Sequence, residues 1–278
     1  MSPFESRGKK IGLALGGGAA RGLAHIGVLD ILQKEGIPID MIAGTSAGAV
    51  AGAIYAWNKD TARMKKEALA VNWRKLAPLI DPSLPKSGLI KGKKIKDLLA
   101  SYIGGNIKFS DLKIPFACVA TDIDTGEEVV FNQGSVPEAL RATISIPGIF
   151  TVVKREGRYL VDGGLTTPVP VSVVKRMGAD FIIAVNVTPD VSIRSEKTGK
   201  GQAAVPKEPN IFHVMMQSIY ITTYSVAQHS LEDADIVIEP DVAHIGAGDF
   251  QKVPELIKRG EMAARSAIPE IKRKLGKL

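Results

Sequence analysis

The chain has 278 residues, with 36 Lys and Arg against 29 Asp and Glu for a formal net charge of +7, and it is 45% hydrophobic but only 5% aromatic. This content excludes a disordered, collagen-like or mucin-like chain and predicts a core of Ala, Val, Ile and Leu. The single cysteine, Cys118 in Phe116-Ala117-Cys118-Val119-Ala120, excludes an internal disulfide and a cysteine-based zinc framework. It reads as a small buried hydrophobe of a reducing compartment.

Residues 1–10 are polar, and the apolar stretch that follows stops at Gly16, too short for a secretory signal, so a cytoplasmic location is expected. Ile11 to Leu15 is a short buried strand, broken by Gly16-Gly17-Gly18 before a helical pattern from Ala20 to Glu35. Met41 to Asn58 is uncharged over 18 residues, but Gly44, Thr45, Ser46 and Gly48 place a turn inside it. It therefore reads as a strand beginning at Asp40 and a helix from Ala47 to Trp57, not as a membrane span. A helix is expected from Thr61 to Trp73, a loop over Asp81 to Gly88 and a basic helix over Lys93 to Tyr102. Strands are expected at Phe116 to Thr121 and Glu128 to Phe131 around the turn Asp124-Thr125-Gly126, then a helix from Val136 to Ile144. Gly148 to Lys154 and Arg158 to Val161 read as extended, and Phe181 to Val187 as a fully buried strand. Residues 188–210 are rich in Lys, Ser, Gly and Pro and are expected to be a mobile loop. Helices over Ile211 to Leu231 and Pro254 to Leu275 flank a last strand near Asp235 to Glu239. Alternating strands and helices predict an α/β/α domain over 1–278 with a mainly parallel sheet.

Two glycine-rich turns carry chemistry. Gly44-Thr45-Ser46-Ala47-Gly48 matches G-x-S-x-G between a buried strand and a helix. A serine on such a turn is lifted clear of the sheet, small neighbours at Gly44 and Gly48 avoid clashes, and the helix N-terminus favours developing negative charge. The turn at Gly16, Gly17 and Gly18 frees backbone N–H groups to converge on an anion or oxyanion, and Arg21 opens the helix after it. It fails as a dinucleotide fingerprint, because Arg21 stands where the third glycine belongs and the acidic residue expected after the second strand is missing. Activation of Ser46 requires an Asp or a His. Asp162 in Val161-Asp162-Gly163-Gly164 is the best acidic candidate, against the plain alternative of a turn aspartate capping its own backbone.

Together these residues resemble the patatin-like phospholipases, and more closely the bacterial proteins similar to the catalytic domain of neuropathy target esterase. Leu13 to Leu29 is similar to the family's oxyanion block and Ile42 to Gly48 to its nucleophile block. Ala142 to Phe150 and Asp162-Gly163-Gly164 are similar to its later blocks. The resemblance implies the three-layer patatin-like fold and a Ser-Asp dyad lipid acyl hydrolase. Ser46 would be nucleophile and Asp162 its base, the Gly16 to Gly18 amides would hold the oxyanion, and no catalytic histidine is implied. With backbone donors in that role and no His/Asp/Glu cluster at metal-ligand spacing in the sequence, neither metal nor cofactor is expected. Two departures stand out: Thr166-Thr167-Pro168 replaces the usual Asn before Pro, and Ala19 stands where close relatives often carry a fourth glycine.

Plain alternatives accompany each feature. A histidine triad through His213, His229 or His244 copies the α/β-hydrolase order, yet all four histidines, His25 included, have structural or surface readings. Arg21 would contact either a substrate phosphate or an ordinary ion-pair or carbonyl partner. The basic stretches Lys86 to Lys96 and Lys272 to Lys277 read as solvated faces that also favour peripheral contact with an anionic inner membrane face. No nucleic-acid motif accompanies the charge. The Met/Tyr segment Ile211 to Tyr224 lines an acyl groove or packs in the core. The expected partner is a phospholipid or other acyl-ester lipid. A hydrolase of soluble acyl groups and a noncatalytic lipid- or phosphate-binding module are the alternatives.

Overall fold

Strands that are apolar on both faces, such as Ile11-Gly-Leu-Ala-Leu15 and Phe181-Ile-Ile-Ala-Val185, are suited to the middle of a parallel sheet covered by helices on each side. The computed structural model describes residues 8–71, 77–83, 87–188, 208 and 210–276. In it, β10 (Ile236–Ile238), β9 (Phe181–Val185), β1 (Ile11–Leu15), β2 (Met41–Thr45) and β4 (Phe116–Asp122) lie side by side, each parallel to the next. The remainder of this sheet is antiparallel. β5 (Glu128–Phe131) returns along β4, and β8 (Arg158–Asp162) pairs with β4 and with β7 (Val153–Arg155).

Alternation along the strands divides the interior into two layers. Leu13, Leu15, Ile42, Cys118, Ile183 and Val185 join the larger cluster, with α1 (Ala24–Lys34), α2 (Ala47–Asn58) and α8 (Val253–Lys274). Ala14, Met41, Ala43, Val119, Ile182 and Ala184 face the other way, against Val171, Val173 and Val174 of α6 (Val171–Arg176) and Ala227 of α7 (Ile211–Leu231). Each fully buried aliphatic side chain contributes about 1.5–3 kcal/mol of transfer free energy. The result is the expected three-layer α/β/α arrangement.

Three further helices complete the wall around the site: α3 (Thr61–Leu69), α4 (Lys93–Tyr102) and α5 (Val136–Thr143). Asp60 starts α3 by accepting the Arg63 amide, and the carboxylate of Asp81 accepts the amides of Gly92, Lys93 and Lys94 at the start of α4. Some elements differ from expectation. The first helix begins as a 3-10 turn over Ala19–Leu23, and α3 ends at Leu69. A short strand β3 (Gly88–Ile90) emerges from the expected loop and pairs in parallel with β6 (Gly148–Phe150). The short α6 was not anticipated at all. Met41 to Asn58 is the strand and helix expected, and among the described residues no helix is long and apolar enough to cross a membrane. The expected mobile loop at 188–210 lies almost wholly outside the described residues.

Candidate active site

Ser46 follows β2 directly and precedes the first residue of α2, with φ 50° and ψ −120°. Positive φ is strained for a residue with a Cβ, and only a tightly determined turn holds it. The flanking glycines are obligatory by contact: a Cβ on Gly44 would lie 2.4 Å from the Ala49 Cα, and one on Gly48 2.2 Å from the Leu15 carbonyl oxygen. The Ser46 amide donates to the Thr143 hydroxyl at 2.9 Å, which donates in turn to the Val119 carbonyl. Thr45 is tied by its own hydroxyl to the Thr167 carbonyl, 2.7 Å away.

Pairing on β4 explains how Asp162 reaches this serine across 116 positions of sequence. A strand has two edges. β5 covers Cys118 to Thr121, overlapping both the span that β2 uses, Phe116 to Val119, and the span that β8 uses, Ala120 to Asp122. β2 and β8 must therefore share the opposite edge, meeting end to end. β2 finishes with Thr45 opposite Val119, β8 finishes with Asp162 opposite Ala120, and the two chain ends converge. Gly163 permits this meeting, since a Cβ there would sit 2.2 Å from the Val119 carbonyl oxygen.

The Ser46 hydroxyl donates to Asp162 Oδ2 at 2.6 Å, and the other carboxylate oxygen accepts the Gly164 amide at 2.8 Å. The turn-capping reading of Asp162 and the serine-pairing reading thus both apply. Asp162 is only 8% exposed, and burial raises its pKa to about 6 against the opposing hydrogen bonds from Ser46 and Gly164. Its partners among the described residues include no histidine. His229 and His244 lie beside Glu232 and Glu255, away from the serine, while the side chain of His213 is outside the described set.

The glycine turn packs against the serine, with a Cβ built on Gly17 only 3.5 Å from the Ser46 Cβ. Its amides are not equally free. Gly16 donates to the Val185 carbonyl at 3.0 Å and Gly17 to the Pro168 carbonyl at 2.9 Å, whereas those of Gly18 and Ala19 donate to no protein acceptor among the described residues. Pro168 and Thr167 thereby supply, through backbone carbonyls, support for the loop that lacks the family's usual Asn. Ala19 takes φ 50°, the conformation a fourth glycine would adopt without strain.

Sequence reasoning missed the role of His25. The ring is fully buried, and its Nε2 lies 2.8 Å from the Gly16 carbonyl oxygen. A carbonyl only accepts, so Nε2 carries the proton and Nδ1 does not; Nδ1 is buried with no hydrogen-bond partner among the described residues. Burial lowers the His25 pKa to about 4, the Gly16 hydrogen bond opposing, and the ring is neutral at physiological pH. Its position nine residues after Gly16, one turn into the helix, is the only sequence signal of this contact.

Two compartments open from Ser46. The larger, of about 290 Å³, is almost wholly apolar and runs between α2, α3 and α4, lined among others by Val50, Ile54, Leu79, Leu98 and Phe150. The smaller, about 70 Å³, holds Asp162, Gly18, Arg21, Thr188, Tyr220 and Thr223. The Met/Tyr helix α7 therefore borders this smaller compartment, polar by virtue of Asp162 and Arg21 although Ile146, Leu165, Met216 and Ile219 also line it, rather than the apolar one. Arg21 is 1% exposed, donates through Nε to the Ile245 carbonyl at 2.7 Å and lies 5.9 Å from the Tyr220 ring centre. The carbonyl contact weighed for it is present, in the wall of the site. Among the described residues no group of three or more His, Cys, Asp or Glu is placed to hold a metal.

Comparison with known proteins identifies relatives of the chain. An NTE family protein of Mycobacterium tuberculosis is 32% identical over 281 residues, covering 94% of this chain and 47% of the relative. Another from the same species is 36% identical over 206 residues, covering 74% and 54%. Lysophospholipase NTE1 of Coccidioides immitis is 28% identical over 294 residues, covering 97% and 18%. The chain thus spans about half the length of these mycobacterial relatives. VipD of Legionella pneumophila shares the fold at a TM-score of 0.61 and 13% identity, covering 94% of this chain and 67% of that one. The family model described as Patatin-like phospholipase matches residues 13–175, which include the glycine turn, Ser46 and Asp162, and the chain belongs to the patatin-like phospholipase family.

Proposed function

We propose that the chain is a serine lipid acyl hydrolase, of phospholipase A or lysophospholipase type, working through a Ser46–Asp162 dyad. Asp162 Oδ2 takes the Ser46 proton as Oγ attacks the ester carbonyl. The amides of Gly18 and Ala19 receive the tetrahedral oxyanion at the N-terminal end of the turn. Collapse expels the alcohol, which leaves with the proton held by Asp162. Water then attacks the acyl-serine with Asp162 again as base, freeing the fatty acid and restoring both residues. A carboxylate raised to about 6 by burial is a stronger base than one in water yet remains ionised at neutral pH. The acyl chain would occupy the apolar compartment, and the polar remainder would lie in the smaller one, whose wall includes Arg21.

The observation that carries this reading is the 2.6 Å hydrogen bond between Ser46 and Asp162 at the junction of an apolar and a polar compartment. A fluorophosphonate should label the wild-type chain and not Ser46→Ala, and that variant should lose at least ~10³-fold in hydrolysis of an acyl ester. Labelling elsewhere, or hydrolysis surviving in Ser46→Ala, removes the assignment.

A further inference from the structure

One rim surrounds the mouths of both compartments. β6 carries Phe150 into the apolar compartment's wall, and Pro147 just before it borders the polar one. β3 pairs with β6, and Asp81 and Lys94, the latter through its contact with the Pro78 carbonyl, fasten residues 78–83 onto the start of α4. On the other side, α7 packs onto β6 closely enough that a Cβ on Gly148 would fall 2.4 Å from Met215.

The outer surface of this rim is unlike that of a solvated protein. Ile80, Leu89, Ile211 and Val214 are exposed to 48, 54, 87 and 46% of their full area. None of them lines either compartment. Over residues 211–225 of α7 the described exposed positions run Ile211, Val214, Ser218, Ile221, Thr222 and Ser225, with Gln228 and His229 exposed further along, and its 21 residues include no Asp, Glu, Lys or Arg. A helix that packs on one face and shows apolar and hydroxyl groups on the other, without a charge, suits an interface between water and hydrocarbon. Lys91, Lys93 and Lys94, which follow the β3 strand paired with β6, are exposed as well. The only carboxylate within residues 77–83, 87–94, 146–151 and 210–216 is Asp81, which is committed to three backbone amides.

We propose that this face, formed by residues 78–83 and 87–94, β6 and the first turns of α7, docks onto the surface of an anionic lipid bilayer. Docking would press the mouths of both compartments against the membrane. Apolar side chains would enter the headgroup boundary while the lysines meet acidic headgroups. Charge selects this occupant over a second copy of the chain, which would bring the same lysines face to face. The proposal deepens the lipid-hydrolase reading and rests on it for its purpose, but its test does not depend on catalysis.

The experiment is co-sedimentation of the Ser46→Ala chain with vesicles of phosphatidylcholine alone and of phosphatidylcholine mixed with phosphatidylglycerol. Binding is expected to the mixed vesicles, to weaken with salt, and to fall roughly thirty-fold in Lys91→Gln/Lys93→Gln. Leu89→Asp/Val214→Asp should weaken it at least as much. On the wild-type background both pairs should leave hydrolysis of a short soluble ester within about two-fold, since neither touches the site. Equal binding to neutral vesicles, or binding indifferent to both pairs, overturns the proposal. So does light scattering in which Leu89→Asp/Val214→Asp splits a dimer. If Ser46→Ala keeps its soluble-ester activity, the hydrolase reading fails while the vesicle result stands on its own.

Discussion

The two compartments that meet at Ser46 are built by different means. The apolar one is walled mainly by side chains of α2, α3 and α4, with Leu79 and Phe150 beside them, most of them packing residues that can be exchanged for others of similar volume. The polar one sets backbone of the glycine turn and the buried polar groups Ser46, Asp162 and Arg21 among apolar neighbours, and there the geometry rests on individual hydrogen bonds. Changes in the first should therefore grade selectivity, whereas changes in the second should strike the chemical step.

The sharpest test of this contrast is Asp162→Asn. Hydrolysis should drop by at least ~10³-fold, with nonadditive loss when combined with Ser46→Ala. Stability should move the other way. Because burial raises the Asp162 pKa from 3.8 to about 6, the ionised form is disfavoured in the native state, and wild-type stability falls as pH rises from about 4 through 6. The Asn variant escapes that cost and should be more stable at pH 7 by about 3 kcal/mol, converging with wild type below pH 4. Thermal unfolding across this range checks it; an Asn variant less stable at pH 7 would count against a buried, raised carboxylate. For the same reason wild-type kcat/KM should rise with pH through about 6 and then level off.

Next in size is His25, which acts on the polar compartment without facing it. His25→Asn is too short to hold the Gly16 carbonyl, and kcat should fall roughly 10- to 100-fold with KM little changed, because the Gly18 and Ala19 amides turn away. His25→Gln should recover part of the loss, which a purely space-filling role would not predict. A buried histidine lowered to about 4 also makes native stability fall as pH drops from 6.5 towards 4. This slope opposes that of Asp162, so wild type should show a shallow profile over pH 4–6 and Asp162→Asn a steeper acid loss.

Smaller effects belong to the apolar side. Leu98→Phe should reduce kcat/KM for long acyl chains by roughly ten-fold relative to short ones, leaving the short-chain rate nearly unchanged. Equal losses on both would mean that the long chain lies elsewhere. Least of all, Ala19→Gly should stabilise the chain by up to about 1 kcal/mol through relief of its positive φ, with activity changed less than three-fold.

What the sequence made legible was local. The strand, turn and helix around Ser46 are written in consecutive residues, and Asp162 announces itself by the two glycines after it. The unbroken apolar runs of β1 and β9 marked the buried middle of the sheet. The unread features all depend on partners far along the chain. Residues Gly88 to Ile90 become a strand only because β6 arrives to pair with them, and propensity alone in that turn-rich stretch gives no warning. The engagement of the Gly16 and Gly17 amides depends on Val185 and Pro168, so once the sheet is assembled the amides of this turn with no protein acceptor among the described residues are those of Gly18 and Ala19. The apolar compartment belongs to α2, α3 and α4, whose inward residues look like any amphipathic core face until a space is left between them.

The meeting of β2 and β8 on one edge of β4 turns that strand into a ruler. No hydrogen bond of the sheet joins β2 to β8, so the step from Val119 to Ala120, a strand rise of about 3.3 Å, meters how far Ser46 stands from its aspartate. An extra residue bulged into β4 at this point would open the 2.6 Å contact by about the length of a full hydrogen bond while leaving both flanking registers intact. A silent-looking insertion under the site, touching neither partner, would disarm the pair as thoroughly as removing one of them.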